Sequence, residues 1–344
     1  MSGTRRIAAA ALAAGTALVL SSCAGAPQGQ GPGGTTEDGL DRLPIRLNWT
    51  YEAADHPWFF AGMVQGIYAE HGIELDPLEG TGSASTLQLV ASGSDPVGLV
   101  DAGTMMGGVA KGLPVQMACV LAQKNPMAAI FPADAGISSI DDLRGETVAV
   151  TPGDSLSQIF PAVLSANGMT EKDLDLVGLS DPAAKQNSVL TGASTAFLGY
   201  YTLQLPALEI SSGEEMDYLS FSELGVDTLS MGIVVNTAWA AQNEDLLTRF
   251  IQATQESAEY VAENQEAAAD DFVEGVPGFD RDLALTQIEA TVPLLHTEAS
   301  EGLPVCETTE EDWQATEEIL AEYSGLTPAE SVDAYYTNDY ATAE

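Results

Sequence analysis

Apolar and polar positions alternate at Ile45, Leu47 and Trp49, which predicts a strand. A polar turn holding Asp55 and His56 follows, and from Trp58 to Tyr68 apolar residues recur at helical spacing. After His71-Gly72 a second alternation, Ile73, Leu75 and then Leu78, predicts another strand. Strand, loop, helix and strand in that order make a βαβ crossover, whose loop opens at the carboxyl edge of a parallel sheet. Open α/β sheets take their ligands at that edge, and this loop carries Trp49, Tyr51, Asp55, His56, Trp58 and Phe59.

The same grammar continues downstream. Glu79 to Ser85 is a run of small residues before the helical spacing of Leu87, Leu89 and Val90. Gly82 and Ser83 there can offer backbone N–H groups to an oxygen of a ligand, and Ser83 or Ser85 can cap the helix; the two roles are compatible. Pro96 to Thr104 is a buried strand running into a loop, in which Asp101 either accepts from a ligand amine or caps the helix beginning near Met105. Val115 to Leu121 and Met127 to Phe131 are further strands. Thr151-Pro152-Gly153-Asp154-Ser155 ends another strand and opens a helix from Leu156 to Asn167, with Ser155 as polar contact or as cap. Asp175 to Leu179 is a strand and Pro182 to Thr191 a helix; Thr195 to Tyr201 is a strand whose mouth holds Tyr200 and Tyr201, with Gln204 just beyond. Met231 to Val235 is a strand. From Asn243 the chain is helical, and this tail, including Trp313, Ile319, Leu320 and Tyr323, is expected to cover the first sheet.

Several of these pieces carry a resemblance. Asn48-Trp49, Asp55-His56, Phe59-Phe60-Ala61, Gly66-Ile67-Tyr68 and Gly72-Ile73-Glu74-Leu75 together resemble the opening of the NMT1/THI5-like family of periplasmic-type solute-binding proteins. Gly136 to Val150 resembles the segment by which that family enters its second lobe. Two departures stand out: the loop histidine comes one residue late, and Gly192 to Ala196 lacks the family's Asp. The resemblance implies a type II periplasmic-binding-protein-like α/β fold, two lobes joined by a two-stranded hinge. Residues 43–132 and 229–344 form the first lobe and 133–228 the second, with Pro132 to Asp134 as one hinge strand and Phe221 to Gly225 as the second hinge strand and its turn. It implies a small-molecule solute held between the lobes, and a permease and an ATPase of an ABC importer as partners of a monomer. Members bind thiamin pyrimidine precursors, riboflavin, nitrate, sulfonates or taurine. The expected ligand contacts are Trp49, Asp55, His56, Trp58, Gly82, Ser83, Asp101, Thr104, Ser155, Tyr200, Tyr201 and Gln204.

The ends change the picture of where the chain works. Arg5 and Arg6 precede an apolar run from Ile7 to Leu20, and Leu20-Ser21-Ser22-Cys23 resembles a lipobox. Residues 1–22 are therefore expected to be a signal peptide, Cys23 the lipidated residue, and 23–42 a flexible tether rich in Gly, Pro and Gln. The expected location is the extracytoplasmic face of the cell membrane, with lipid as the only membrane contact. Cys119 and Cys306 then remain, an even pair in an oxidising compartment: either a long-range disulfide or one buried and one exposed thiol.

Charge excludes more than it assigns. Fifty-one acidic residues against 11 basic give −40, which leaves no basic cluster to meet nucleic-acid phosphates. So acidic a surface suits high salt, where self-repulsion is screened within a few ångströms. No local motif assembles a nucleophile with a base, and three scattered histidines do not have zinc spacing, so no enzyme, metal or cofactor is expected. A yeast relative of the fold makes the thiamin pyrimidine from its own histidine and pyridoxal phosphate, but its Cys-rich motif is missing here. In the loops assigned to the cleft, Trp49, Tyr51, Trp58, Phe59, Tyr200 and Tyr201 face no Lys or Arg. That inventory favours a neutral or weakly cationic heteroaromatic solute, such as an aminopyrimidine, stacked between aromatic rings with Asp55 or Asp101 holding its amino group. It requires room between Trp49 and Tyr200.

Overall fold

The structure, a computed structural model, describes residues 34–36, 38–51 and 56–341. Cys23, the expected signal peptide and Asp55 lie outside the described residues. The chain first lays down β1 (Asp41–Arg46), α1 (Pro57–Val64), α2 (Ile67–Glu70), β2 (Ile73–Leu78), α3 (Ser83–Ala91), β3 (Val97–Asp101), α4 (Ala102–Val109) and β4 (Val115–Val120). The single helix expected from Trp58 to Tyr68 is two, because Gly66 takes a left-handed φ of 80° and ends the first. Next come β5 (Met127–Pro132), β6 (Thr147–Val150), α5 (Ser155–Ala166), β7 (Asp175–Gly178), α6 (Pro182–Leu190), β8 (Ala196–Tyr200), α7 (Gln204–Ser212) and β9 (Met216–Ser220). The return run is β10 (Met231–Asn236), α8 (Thr237–Ala240), α9 (Glu244–Glu263), α10 (Gln265–Gly275), α11 (Arg281–Thr291) and α12 (Glu310–Ser324).

These strands form two five-stranded sheets of matching plan, ordered β2-β1-β3-β10-β4 and β7-β6-β8-β5-β9. In each, four strands run in one direction through helical crossovers and a fifth, β10 or β5, inserts antiparallel between two of them after the chain has changed lobes. The two changes fall at residues 121–126 and 221–230. The lobe boundary expected at 132 therefore moves: Met127–Pro132 pairs with β8 and β9, Met127 opposite Tyr200 and Ala128 opposite Ser220, and so builds the second sheet. Pro132 to Asp134 is consequently no hinge strand, and of the strand and turn expected at Phe221 to Gly225 the turn forms, closed by hydrogen bonds from Gly225 N to Ser222 O and from Val226 N to Phe221 O.

Helices α9 and α10 pack on the first lobe, as expected of the tail, chiefly against α1. Phe60 meets Phe272 edge-on at 5.2 Å, Tyr68 OH lies 3.1 Å from Thr254 Oγ1, and Ser257 Oγ donates to the carbonyl of Trp58. Helix α12 departs from expectation. It packs against α5 of the second lobe, with Thr316 Oγ1 accepting from Leu229 N on the return crossing, while Trp313 stacks on Tyr336 at 5.1 Å. The segment before α12 is joined to β4 by the Cys119–Cys306 disulfide, which closes a span of 187 residues. That resolves the cysteine question in favour of the long-range bond.

Candidate functional site

The carboxyl ends of the parallel strands in both sheets open onto one cavity, lined by Asn48 and Trp49 after β1, Gly82 and Ser83 after β2, Asp154, Ser155 and Leu156 after β6, Lys185 in the helix after β7, and Gly199, Tyr200 and Gln204 at the end of β8. Each group sits there because a βα turn ends its strand at the sheet edge. The cavity holds only about 20 Å³. That is room for roughly one water, against the 300–1,000 Å³ typical of small-molecule pockets. The required space between Trp49 and Tyr200 is thus not open in this conformation, and a solute enters only as the lobes part or side chains move aside.

The lobes touch at Gly82. Its φ of 126° is barred to side-chain-bearing residues, and a Cβ would stand 2.6 Å from the carbonyl oxygen of Gly153 across the cleft. Ala84 N also points at that oxygen, at 3.4 Å. Ser83 caps nothing in its own helix; its Oγ accepts from Asp101 N at 3.2 Å. Across the cavity, Asp154 rather than Ser155 is the N-cap of α5, its Oδ1 accepting from Ser157 N at 2.7 Å. Ser155 Oγ lies 2.7 Å from Tyr200 OH, and Gln204 Oε1 accepts from Tyr200 N at 2.7 Å, so the second lobe's polar groups brace one another.

One cation stands among these groups, contrary to the expectation of none. Lys185 is 4 % exposed; its Nζ is 3.7 Å from Asp154 Oδ2 and 5.8 Å from the centroid of the Trp49 ring in the opposite lobe. At 3.7 Å the pair attracts without a hydrogen bond. Burial lowers the Lys185 pKa and raises that of Asp154, each shift partly offset by the opposite charge. Two acceptors at the cavity, Asp154 Oδ2 and Asn48 Oδ1, are buried without a hydrogen-bond partner among the described residues.

Of the twelve expected contacts, Trp49, Gly82, Ser83, Ser155, Tyr200 and Gln204 line this cavity together. Trp58 does not: it is buried in the first lobe's core against Phe59, with ring centroids 6.5 Å apart. His56 is buried at the start of α1, tilted toward Phe59, and does not line the cavity. Asp101 is fully buried as the N-cap of α4, accepting from Thr104 N at 3.0 Å, and burial pushes its carboxyl up to about 7. Thr104 lines a separate groove of about 420 Å³ with Gln158 and Leu320. Tyr201 turns away from the cleft and stacks on Tyr218 at 4.8 Å beside the lobe crossings. Phe59 lies in the core, while Tyr51 OH donates to Pro77 O, so only two of the six aromatic candidates face the cavity. Sequence reasoning passed over Asn48, Asp154 and Lys185. The first two adjoin residues that were chosen, and Lys185 is one of only four lysines in the chain.

Two α/β lobes that close loop-bearing sheet edges on a shared cavity define the type II periplasmic-binding-protein fold. The chain belongs to the NMT1/THI5 like family, whose profile matches residues 53–268. It is 25 % identical over 273 residues to a formylaminopyrimidine-binding protein of Halalkalibacterium halodurans, covering 78 % of each chain. It is 24 % identical over 321 residues to a riboflavin-binding protein of Chloroflexus aurantiacus, covering 90 % of this chain and 88 % of that one. Synthases of 4-amino-5-hydroxymethyl-2-methylpyrimidine phosphate from Saccharomyces cerevisiae and Legionella pneumophila also match, over 72 % and 66 % of the chain. Among solved structures, an alkanesulfonate-binding protein of Xanthomonas axonopodis superimposes with a TM-score of 0.65 at 13 % identity, covering 86 % of this chain and 98 % of that one.

Proposed function

We propose that this chain is the solute-binding lipoprotein of an ABC importer, which captures a small heteroaromatic amine of the thiamin-pyrimidine type between its lobes and passes it to a permease driven by an ATPase. It works as a monomer outside the cytoplasmic membrane, tethered through lipid on Cys23. Among the described residues no helix is long and apolar enough to cross a membrane. The lobes are residues 43–126 with the return run from 229, and 127–228. The contacts to the solute are Trp49, Asn48, Gly82, Ser83, Asp154, Ser155, Tyr200 and Gln204.

The observation that carries this reading is the meeting in one cavity of Trp49 from the first lobe and Tyr200 from the second, beside two buried acceptors without partners, Asn48 Oδ1 and Asp154 Oδ2. Flat rings grip a flat solute, and unpartnered acceptors ask for its amino group. A ligand that touches both lobes favours the closed hinge state by its differential affinity for it.

Lys185 favours a second reading, a binder of nitrate or a sulfonate, since it offers a cation that the aromatic argument did not include. Titration calorimetry decides between the two. The expected result is binding of 4-amino-5-hydroxymethyl-2-methylpyrimidine, weakened at least about tenfold, roughly 1.4 kcal/mol, by Trp49→Ala with little change in melting temperature. Binding of taurine or nitrate with no response to pyrimidines overturns the first reading. Matches to both binding proteins and synthases bear on catalysis as well: incubation with pyridoxal phosphate is expected to yield no pyrimidine product, and turnover would reassign the chain as an enzyme.

A further inference from the structure

The lobes also meet through a residue that does not line the cavity. Gln287 belongs to α11, whose neighbouring Ala284 and Ile288 pack in the first lobe's core, yet its Nε2 donates to the carbonyl of Leu203 in the second lobe at 2.8 Å. Both residues are buried. Leu203 is the N-cap of α7, and its carbonyl stands where the first intrahelical bond is accepted. That bond, from Ala207 N, is 3.4 Å long, so the nearer partner of this carbonyl lies in the other lobe. Leu203 N donates in turn to Tyr200 O at 3.1 Å, and Gln204 Oε1 accepts from Tyr200 N at 2.7 Å. The turn from Tyr200 to Gln204, both of whose ends line the cavity, is thereby fastened to a first-lobe side chain.

We propose that Gln287 is a latch, a positioning residue that favours the closed state through Leu203 without touching the solute, and so prolongs the stay of a solute between the lobes. Parting of the lobes takes the Leu203 carbonyl away from α11 and leaves it to Ala207 N and water, whereas the hydrogen bonds within the turn stay intact. A hydrogen bond of ordinary net strength shifts such a two-state ratio about fivefold. An uncharged donor suits the place: a cation would meet the same carbonyl at the cost of burying its charge, and a carboxylate would set acceptor against acceptor. The effect on solute release rests on the solute-binding reading above; the latch itself is a property of the two lobes.

The test compares the full chain with Gln287→Met, of similar length but without a donor, and Gln287→Glu, with thermal melts to show that each is folded. X-ray scattering of the free chains at pH 8 is expected to give both variants a larger radius of gyration than the unaltered protein, Gln287→Glu the larger of the two. On acidification to about pH 5 the protonated carboxyl of Gln287→Glu donates again, so its radius should fall back toward the unaltered value while that of Gln287→Met stays expanded, a response that a merely structural role would not produce. Release of 4-amino-5-hydroxymethyl-2-methylpyrimidine, followed by tryptophan fluorescence, should be about fivefold faster from Gln287→Met with no loss of association rate. Equal radii for the unaltered protein and a folded Gln287→Met overturn the latch, as does an expansion of Gln287→Glu that acid does not reverse. Expansion with an unchanged release rate overturns its effect on the solute. Expansion with no pyrimidine binding at all leaves the latch standing and removes the reading of the solute.

Discussion

The two lobes share a plan and differ in how they are held and in what they present. The first buries its sheet under α1, α9 and α10 with an aromatic core of Trp58, Phe59, Phe60, Phe250 and Phe272, and a disulfide fastens β4 to the tail. The second is thinly covered; its edge strand β7 is largely exposed. To the cavity the first lobe brings a half-buried indole, a glycine turn and the uncharged polar groups of Asn48 and Ser83, whereas the second brings the phenol of Tyr200, the hydroxyl of Ser155 and the charged pair Asp154 and Lys185. Since only contacts to both sides favour closure, placing the indole in one lobe and the charged pair in the other means that neither a flat hydrocarbon nor a bare ion engages the whole site.

Three perturbations separate the lobes, from the largest effect to the smallest. Replacing Cys119 and Cys306 by Ala frees the tail from β4, and should lower stability by about 2–5 kcal/mol in denaturant melts. Amide exchange should then quicken around β4 and β10 while β5 to β9 keep their protection; uniform quickening would mean that the lobes unfold as one unit. Asp101, at the end of β3, should give the next effect. Its folded pKa of about 7 lies above the ordinary carboxylate value, so the folded state holds this proton more tightly. The group's contribution to stability is present below about pH 4 and lost as pH rises toward 7, and Asp101→Asn, which keeps the cap, should remove a loss on the order of 4 kcal/mol across that window. Melting temperatures of both proteins from pH 4 to 8 check it; parallel curves would show that Asp101 does not titrate there. Tyr200→Phe should cost about 1 kcal/mol by leaving Ser155 Oγ without its 2.7 Å partner, and should disturb exchange in the second lobe alone.

How much could be read beforehand follows the range of the interactions. The βα turns were legible because each is local: alternation ending in Trp49, small residues at Gly82 and Ser83, and tyrosine at the mouth of β8 mark a sheet edge without knowledge of the partner strand. Trp58 was misplaced because helical spacing does not say which face of α1 meets α9. Met127–Pro132 was assigned to the wrong lobe because an apolar run suits either sheet, and only antiparallel pairing with residues some 70 to 90 positions later decides between them. Lys185 escaped for the same reason: its partner Asp154 belongs to a different βα turn and Trp49 to a different lobe.

The course of α12 has a mechanical consequence. It starts just beyond Cys306, which is bonded to the first sheet, and ends against α5, with Leu320 close to both Gly103 and the side chain that Ile159 sends from that helix. Two connecting strings alone would leave the halves free to swing and to twist; a rigid rod anchored on one and lying along the other suppresses the twist. In this conformation the halves are therefore joined by three elements and not two, and the third is a helix of 15 residues.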